Sequence, residues 1–346
     1  MKKSFDQNYL LHIMQRLIET PSPVGYYNEV NPLMQQLAGE LGCALEFDNK
    51  HTAYLPLPGK NATRTICVSS HLDTLGLMVR SVDANGMLRV RNLGGINYHN
   101  IDGESVIVIT RSGRKYTGLC VCQSHSTHVF EDARTLPRTE DTMIVSLDVP
   151  VHSAEDVKKL GIRNGDYICL APHFQLTSTG YIKSRFLDDK AGVAIILSVI
   201  KYLKENGLQP ACNVLFTFPH YEEIGSGGSY VPQGVEQFVS LDMAAIGPGY
   251  EGSEEKVTIC VKDAAATYDR DLTNRLISIA ERLELNHAVD VFHHYSSDAG
   301  AAIRGGNNVA IATFGFGTFA SHGMERTHIN AIQNTAGLLF GYIMGA

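Results

Sequence analysis

Apolar residues recur at helical spacing over Tyr9–Ile18 and again over Asn28–Leu41. The first run stops before Pro21 and Pro23, which cannot continue a helix, and the second ends at Gly42. Thr65–Ser69 then forms a short, continuous apolar run of buried-strand type. From Gly76 to Leu176 the texture changes to short β-like stretches: Leu77–Val82, Met87–Val90, Ser105–Thr110, Tyr116–Val121, Met143–Leu147 and Tyr167–Leu170. Ala84-Asn85-Gly86, Arg111-Ser112-Gly113 and Asn164-Gly165-Asp166 supply turn residues between them, and only Ala154–Leu160 has helical spacing. Strands this short and closely spaced predict a small all-β barrel or sandwich, of which the barrel is taken here. After Ser178 longer periods return, with helices predicted over Asp189–Asn206, Asp269–Leu285 and Asn330–Met344. Apolar strands predicted at Cys212–Phe218, Phe238–Leu241, Val257–Val261 and Val309–Thr313 alternate with them. That alternation predicts the α/β class, a three-layer sandwich in which a mixed sheet carries helices on both faces. The economical organisation is a catalytic domain from residues 1–75 and 177–346, interrupted at 76–176 by the β-barrel domain.

Length and composition change this picture little. The chain has 346 residues, 44% hydrophobic and 19% charged, ample material for a core and more than one domain usually holds. A net charge of −7 without clustered Lys or Arg excludes a nucleic-acid partner, since phosphate contacts need such clusters. The start, Met1-Lys2-Lys3-Ser4-Phe5-Asp6, lacks the apolar run of a signal peptide, and no stretch approaches the roughly 20 apolar residues of a spanning helix. No membrane partner and a cytoplasmic location are therefore expected. Seven scattered cysteines, an odd number, suit reduced structural thiols better than a disulfide framework.

The chemistry concentrates at strand ends and one helix start of the α/β portion. His71-Leu72-Asp73 directly follows the Thr65–Ser69 run, and ligands of open α/β sheets gather outside the carboxyl ends of strands. The spacing lets Asp73 orient the His71 imidazole and raise its basicity. Leu187-Asp188-Asp189-Lys190 opens a long helix; one aspartate there could simply cap it, while two leave a carboxylate free for a cation. Glu222-Glu223 follows the Cys212–Phe218 strand, and adjacent glutamates are tolerated most readily beside positive charge. Asp242 closes another apolar strand, and His322 follows a Gly-Phe-Gly loop. Each has an ordinary structural explanation alone, and His125, His128, His293 and His294 are left as core or surface residues. Together they offer what a two-metal hydrolase needs: a bridging carboxylate, terminal His and carboxylate ligands, and an unligated carboxylate as base. The charge of Asp188, Glu223 and Asp242 plus one bridging hydroxide balances two divalent ions.

In their order along the chain these motifs resemble the dinuclear-metal aminopeptidases that include glutamyl, deblocking and tetrahedral dodecameric aminopeptidases. The resemblance is carried by Ser22-Pro23-x-Gly25, His71-x-Asp73, Leu160-Gly161-Ile162-x-x-Gly165-Asp166, Leu187-Asp188-Asp189-Lys190-x-Gly192, Glu222-Glu223-x-Gly225, Leu241-Asp242, Ser297-Asp298-Ala299 and His322, and so spans nearly the whole chain. It implies that Asp188 bridges two zinc or cobalt ions, with His71 and Asp242 completing one and Glu223 and His322 the other. Glu222 would be the general base and Asp73 the residue that orients His71. It further implies a small peptide substrate bound through a free N-terminal amine, and a homo-oligomer formed through the inserted β domain. Two departures stand out. Thr74-Leu75-Gly76 replaces the family's Glu-Ile-Gly, and Phe319-Ala320-Ser321 replaces its Arg-Tyr segment. The Ser321–His328 run is instead similar to a sub-branch associated with the osmolyte N-acetylglutaminylglutamine amide. It motivates an alternative, a metal-dependent amidase or deacylase acting on a modified dipeptide or osmolyte. A glycosidase is disfavoured, because adjacent Glu222 and Glu223 cannot flank a sugar bond at the required separation.

Overall fold

The structure is a computed structural model describing residues 5–345. It contains two compact units, residues 74–172 and the remainder. The larger unit is built on a mixed sheet of strands β1 (Glu46–Phe47), β2 (Ala53–Leu57), β3 (Asn61–Ser69), β4 (Cys212–Phe218), β5 (Val235–Leu241), β6 (Val257–Lys262), β7 (His287–Val291) and β8 (Ala310–Thr318). Their spatial order is β1-β2-β4-β3-β5-β8-β6-β7. The four central strands, β4, β3, β5 and β8, run parallel, while β2 and β6 pair antiparallel to this block on either side. Six helices accompany the sheet: α1 (Gln7–Glu19), α2 (Val30–Glu40), α3 (Leu187–Glu205), α4 (Arg270–Arg282), α5 (Asp298–Arg304) and α6 (Ile329–Ile343).

The two-residue period of a strand sorts its side chains between two cores. Ile66 and Val68 of β3, Val239 and Leu241 of β5, and Ala312, Phe314 and Phe316 of β8 join the larger core with α1, α2, α3, α4 and α6. Cys67, Phe238, Cys260 and Ile311 point the other way, into a smaller core with Ala299 and Ala302 of α5. The three layers are thus lopsided. The face carrying only α5 is covered largely by loops, and it is there that Tyr268 and Phe292 pack.

The second unit is a closed barrel of six antiparallel strands in the order Gly76–Val82, Leu88–Leu93, Met143–Leu147, Lys115–Cys122, Glu104–Ile109 and Tyr167–Leu170. Leu77, Val79, Leu88, Val90, Val106, Val108, Cys120, Cys122, Val145 and Ile168 are buried, the inward half of an alternation already legible in the sequence. Ala154–Lys159 is its short helix, capped by Ser153, whose hydroxyl accepts from the Asp156 N–H. Residues 173–176 lie in the larger unit, where Gln175–Leu176 pairs with Tyr181–Ser184.

Candidate active site

The parallel block brings the chemistry to one edge. β3, β4, β5 and β8 all end on the same side, and their following segments carry His71 and Asp73, Glu222 and Glu223, Asp242, and His322. Backbone bonds extend the pairing past the strand ends: Leu72 N–H donates to the Pro219 carbonyl at 2.9 Å, and Asp242 N–H to Phe314 at 3.2 Å. Asp188 arrives from the start of α3, where regular helical dihedrals begin only after Asp189. Gly192 on the next turn is obligatory, because a Cβ there would collide with the Asp189 carboxylate and the Ser70 hydroxyl.

Asp188 lies between two imidazoles. Its Oδ1 is 3.0 Å from His71 Nε2 and its Oδ2 is 3.5 Å from His322 Nε2. His322 Nε2 is also 3.4 Å from Glu223 Oε2, and His71 Nε2 is 3.8 Å from Glu222 Oε2. His71 Nδ1 faces the Asp73 backbone carbonyl at 2.9 Å, with the Asp73 carboxylate farther off at 3.5 Å. That carboxylate accepts the backbone N–H groups of Glu222 and Glu223, each at 3.1 Å. Asp73 therefore touches the imidazole mainly through its main chain, and its side chain fixes the segment that carries both glutamates.

Electrostatically the site is short of positive charge. Burial pushes Glu222, Asp189 and Asp242 well above the usual carboxylate range, with neighbouring carboxylates adding to it. Glu223 is pushed up to about 8, by burial first and then by Asp188. Asp188 goes the other way: burial opposes its ionisation, but hydrogen bonds from His322 and His71 outweigh it. Asp242 Oδ1 and Asp189 Oδ1 are buried without a hydrogen-bond partner, an arrangement that leaves lone pairs aimed at nothing the protein provides. Donor atoms of His71, Asp188 and Glu223 lie within 4.8 Å of one another, and so do those of His71, Asp189 and Asp242. Carboxylate oxygen and imidazole donors in such sets suit a divalent metal ion. The residues fit metal.

Three further carboxylates surround this cluster that no local motif marks with a role. Asp189 sits beside Asp242, with one oxygen taken by the Ser70 hydroxyl. Glu325 is 3% exposed, and its two oxygens accept the backbone N–H of Asp188 at 3.0 Å and of His322 at 3.1 Å. It lies on the polar strand Glu325–His328, paired with Tyr181–Ser184, so that it reaches Asp188 across 137 residues of chain. No hydrophobic pattern marks that strand. Asp298, at the start of α5, accepts from Gly228 N–H at 2.6 Å and Ser69 Oγ at 3.2 Å, and burial pushes it up to about 6. His125 and His128 lie in the other unit, while His294 lines the cavity at the site.

A sequence model of the M42 glutamyl aminopeptidase family matches residues 52–338. The chain belongs to that family. This M42 chain is accordingly a peptidase, an aminopeptidase-type hydrolase of a metal-dependent family. It is 36% identical to the putative aminopeptidase YhfE of Bacillus subtilis (strain 168) over 334 residues, covering 96% of both chains. Among solved structures it is similar to the aminopeptidase APDkam598 from the archaeon Desulfurococcus kamchatkensis, at a TM-score of 0.87 and 22% identity, covering 98% of this chain and 95% of that one. It is also similar to the TET1 peptidase of Pyrococcus horikoshii, which can assemble into a tetrahedron or a large octahedral shell. There the TM-score is 0.85 and the identity 20%, with 97% of this chain and 100% of the other covered. At these identities the structural likenesses speak for the fold, α/β sandwich and barrel alike.

Proposed function

We propose that this M42 peptidase removes the N-terminal residue of short peptides, using two divalent ions of zinc or cobalt. Asp188 would bridge them, His71 and Asp242 would complete one site, and Glu223 and His322 the other. The observation that carries this reading is the placement of Asp188, each oxygen turned to a different imidazole at 3.0 and 3.5 Å. When bound, the ions supply Lewis acidity to the scissile carbonyl and to the attacking water. Glu222 takes a proton from that water and returns it to the leaving amine, so that no net proton is consumed in the cleavage. Its side chain is only 11% exposed, and burial favours the basic, proton-holding role. Asp73 and Glu325 act as positioning residues, the first on the Glu222–Glu223 segment and the second on the backbones of Asp188 and His322.

The same reading makes the protein a cytoplasmic homo-oligomer. None of the seven cysteines is in a disulfide, which suits a reducing compartment, and no helix among the described residues is long and apolar enough to cross a membrane. The assembly of the TET1 relative supports an oligomer, with the barrel of residues 74–172 as the contacting domain.

A panel of aminoacyl chromogenic substrates, offered to protein reconstituted with cobalt or zinc, tests the proposal. Free-amine substrates should turn over and their N-acylated counterparts should not. Absence of cleavage with both ions demonstrably bound would remove the aminopeptidase reading.

A further inference from the structure

The cavity at the site holds about 400 Å³, and its lining divides into two chemistries. Part of it is the carboxylate and imidazole cluster described above. Beside the polar His294, Ser296 and Ser321 stands an apolar face: Met243 and Ala245, which follow β5, and the rings of Tyr250, Phe292 and Tyr295. These rings form a continuous wall. Tyr250 and Phe292 have centroids 5.1 Å apart, and Phe292 and Tyr295 are 5.2 Å apart, in tilted pairs. Phe292 is buried at 1% exposure, and the Tyr295 carbonyl is held by Ala264 N–H at 2.9 Å, so the wall is anchored from behind. The Tyr295 hydroxyl is buried without a hydrogen-bond partner.

The absences matter as much. Among the described residues no lysine or arginine lines the cavity, although Arg304 lies beside Gly225. Its carboxylates, Asp188, Glu222, Glu223 and Asp242, are all engaged as ligands or base in the proposed mechanism, and its other histidine, His294, is solvent-exposed. An acidic substrate side chain would enter beside these carboxylates with no lysine or arginine of the lining to receive it. A lysine head group would shed its hydration against aromatic rings and find no free carboxylate. Both costs are those of burying an unpaired charge.

Resting on the aminopeptidase reading, we infer that the substrates are peptides whose N-terminal side chain is apolar, of the leucine, methionine or phenylalanine kind. That side chain packs on the wall of Met243, Ala245, Tyr250, Phe292 and Tyr295. The specificity is set by apolar burial on one side and by the lack of a lysine, arginine or uncommitted carboxylate in the lining on the other.

The test is a comparison of kcat/KM for Leu, Met, Phe, Ala, Glu and Lys chromogenic substrates on the full-length, metal-reconstituted enzyme. Leu, Met and Phe should exceed Ala by about 10-fold, the scale set by a few buried methylenes, and Glu and Lys by about 100-fold. A second arm places a cation in the wall with Ala245→Lys, which should raise the Glu-to-Leu ratio at least about 10-fold. A Glu or Lys substrate matching Leu overturns the inference and leaves the enzyme an aminopeptidase. Cleavage of none of the six, with metal bound, overturns the aminopeptidase reading and this inference with it. An unchanged Glu-to-Leu ratio in folded Ala245→Lys overturns the placement of the side chain on this wall. If that variant does not fold, the wild-type panel decides alone.

Discussion

The barrel and the α/β unit both carry many carboxylates, and they treat them in opposite ways. On the barrel several are matched at the surface by arginines: Arg89 with Asp83 at 2.7 Å, Arg138 with Asp102 at 2.8 Å, and Arg91 with Glu140 at 3.4 Å. Such pairs are screened by water and salt and contribute little to stability. In the α/β unit Asp188, Asp189, Asp242, Glu222 and Glu223 are drawn together where water is scarce, with two imidazoles as the nearby positive groups. Unbalanced buried charge of one sign is unfavourable unless something cationic completes it, and it therefore marks the site.

The largest expected effect comes from the buried cluster itself. Glu222→Gln keeps the shape of the side chain and removes the proton acceptor. Turnover of a leucyl substrate should fall by roughly 10²- to 10⁴-fold, with metal content by elemental analysis unchanged. An undiminished rate would take Glu222 out of the role of base.

Removing metal should expose the cost of the crowded carboxylates. Glu223 at about 8 and Asp298 at about 6 lie above the ordinary range of about 4. The metal-free fold thus binds protons that the unfolded chain has released. The contribution of these two groups to its stability is fully present below about pH 4 and is lost as pH rises through 6 and then 8, by an amount of the order of a few kcal/mol. Metal-bound protein should lack this decline, because the ions replace the protons. Thermal unfolding with and without chelator between pH 5 and 9 gives the comparison. Parallel curves would show that the cluster holds no cation.

A smaller effect is expected where a residue acts only through others. Glu325→Gln turns one of two acceptors into a donor facing an N–H, which should weaken metal binding by about 10- to 100-fold, read by isothermal titration. The barrel supplies its control: Arg89→Ala should leave metal affinity and turnover within about 2-fold and cost at most about 1 kcal/mol. Equal effects in the two variants would abolish the contrast between the units.

The same contrast governs what can be read from the sequence. Every barrel strand announced itself, because a small closed barrel imposes alternation on each of its strands. In the α/β unit the central parallel strands were equally plain, but their neighbours were not. Ala53–Leu57 contains Pro56, which breaks a strand pattern yet is accommodated in the pairing with β4. His287–Val291 is an edge strand, and only its inward positions Ala288 and Asp290 are buried. Glu325–His328 has no apolar signal, and its strand conformation comes from pairing with Tyr181–Ser184. Asp73 was legible as a partner of His71, but that its carboxylate serves the Glu222 and Glu223 backbone instead depends on a contact across about 150 residues.

The sequence by itself determined the classes of structure, the strand ends at which charged residues stand, and the family those residues belong to. These are properties of local period and residue type, which a single chain displays without folding. Only the tertiary structure decided which oxygen of Asp188 faces which imidazole, that Asp189 and Glu325 join the cluster, and that an aromatic wall rather than a cation lines the cavity. Those facts depend on side chains from separate strands meeting in one desolvated space, and no local pattern encodes such distances.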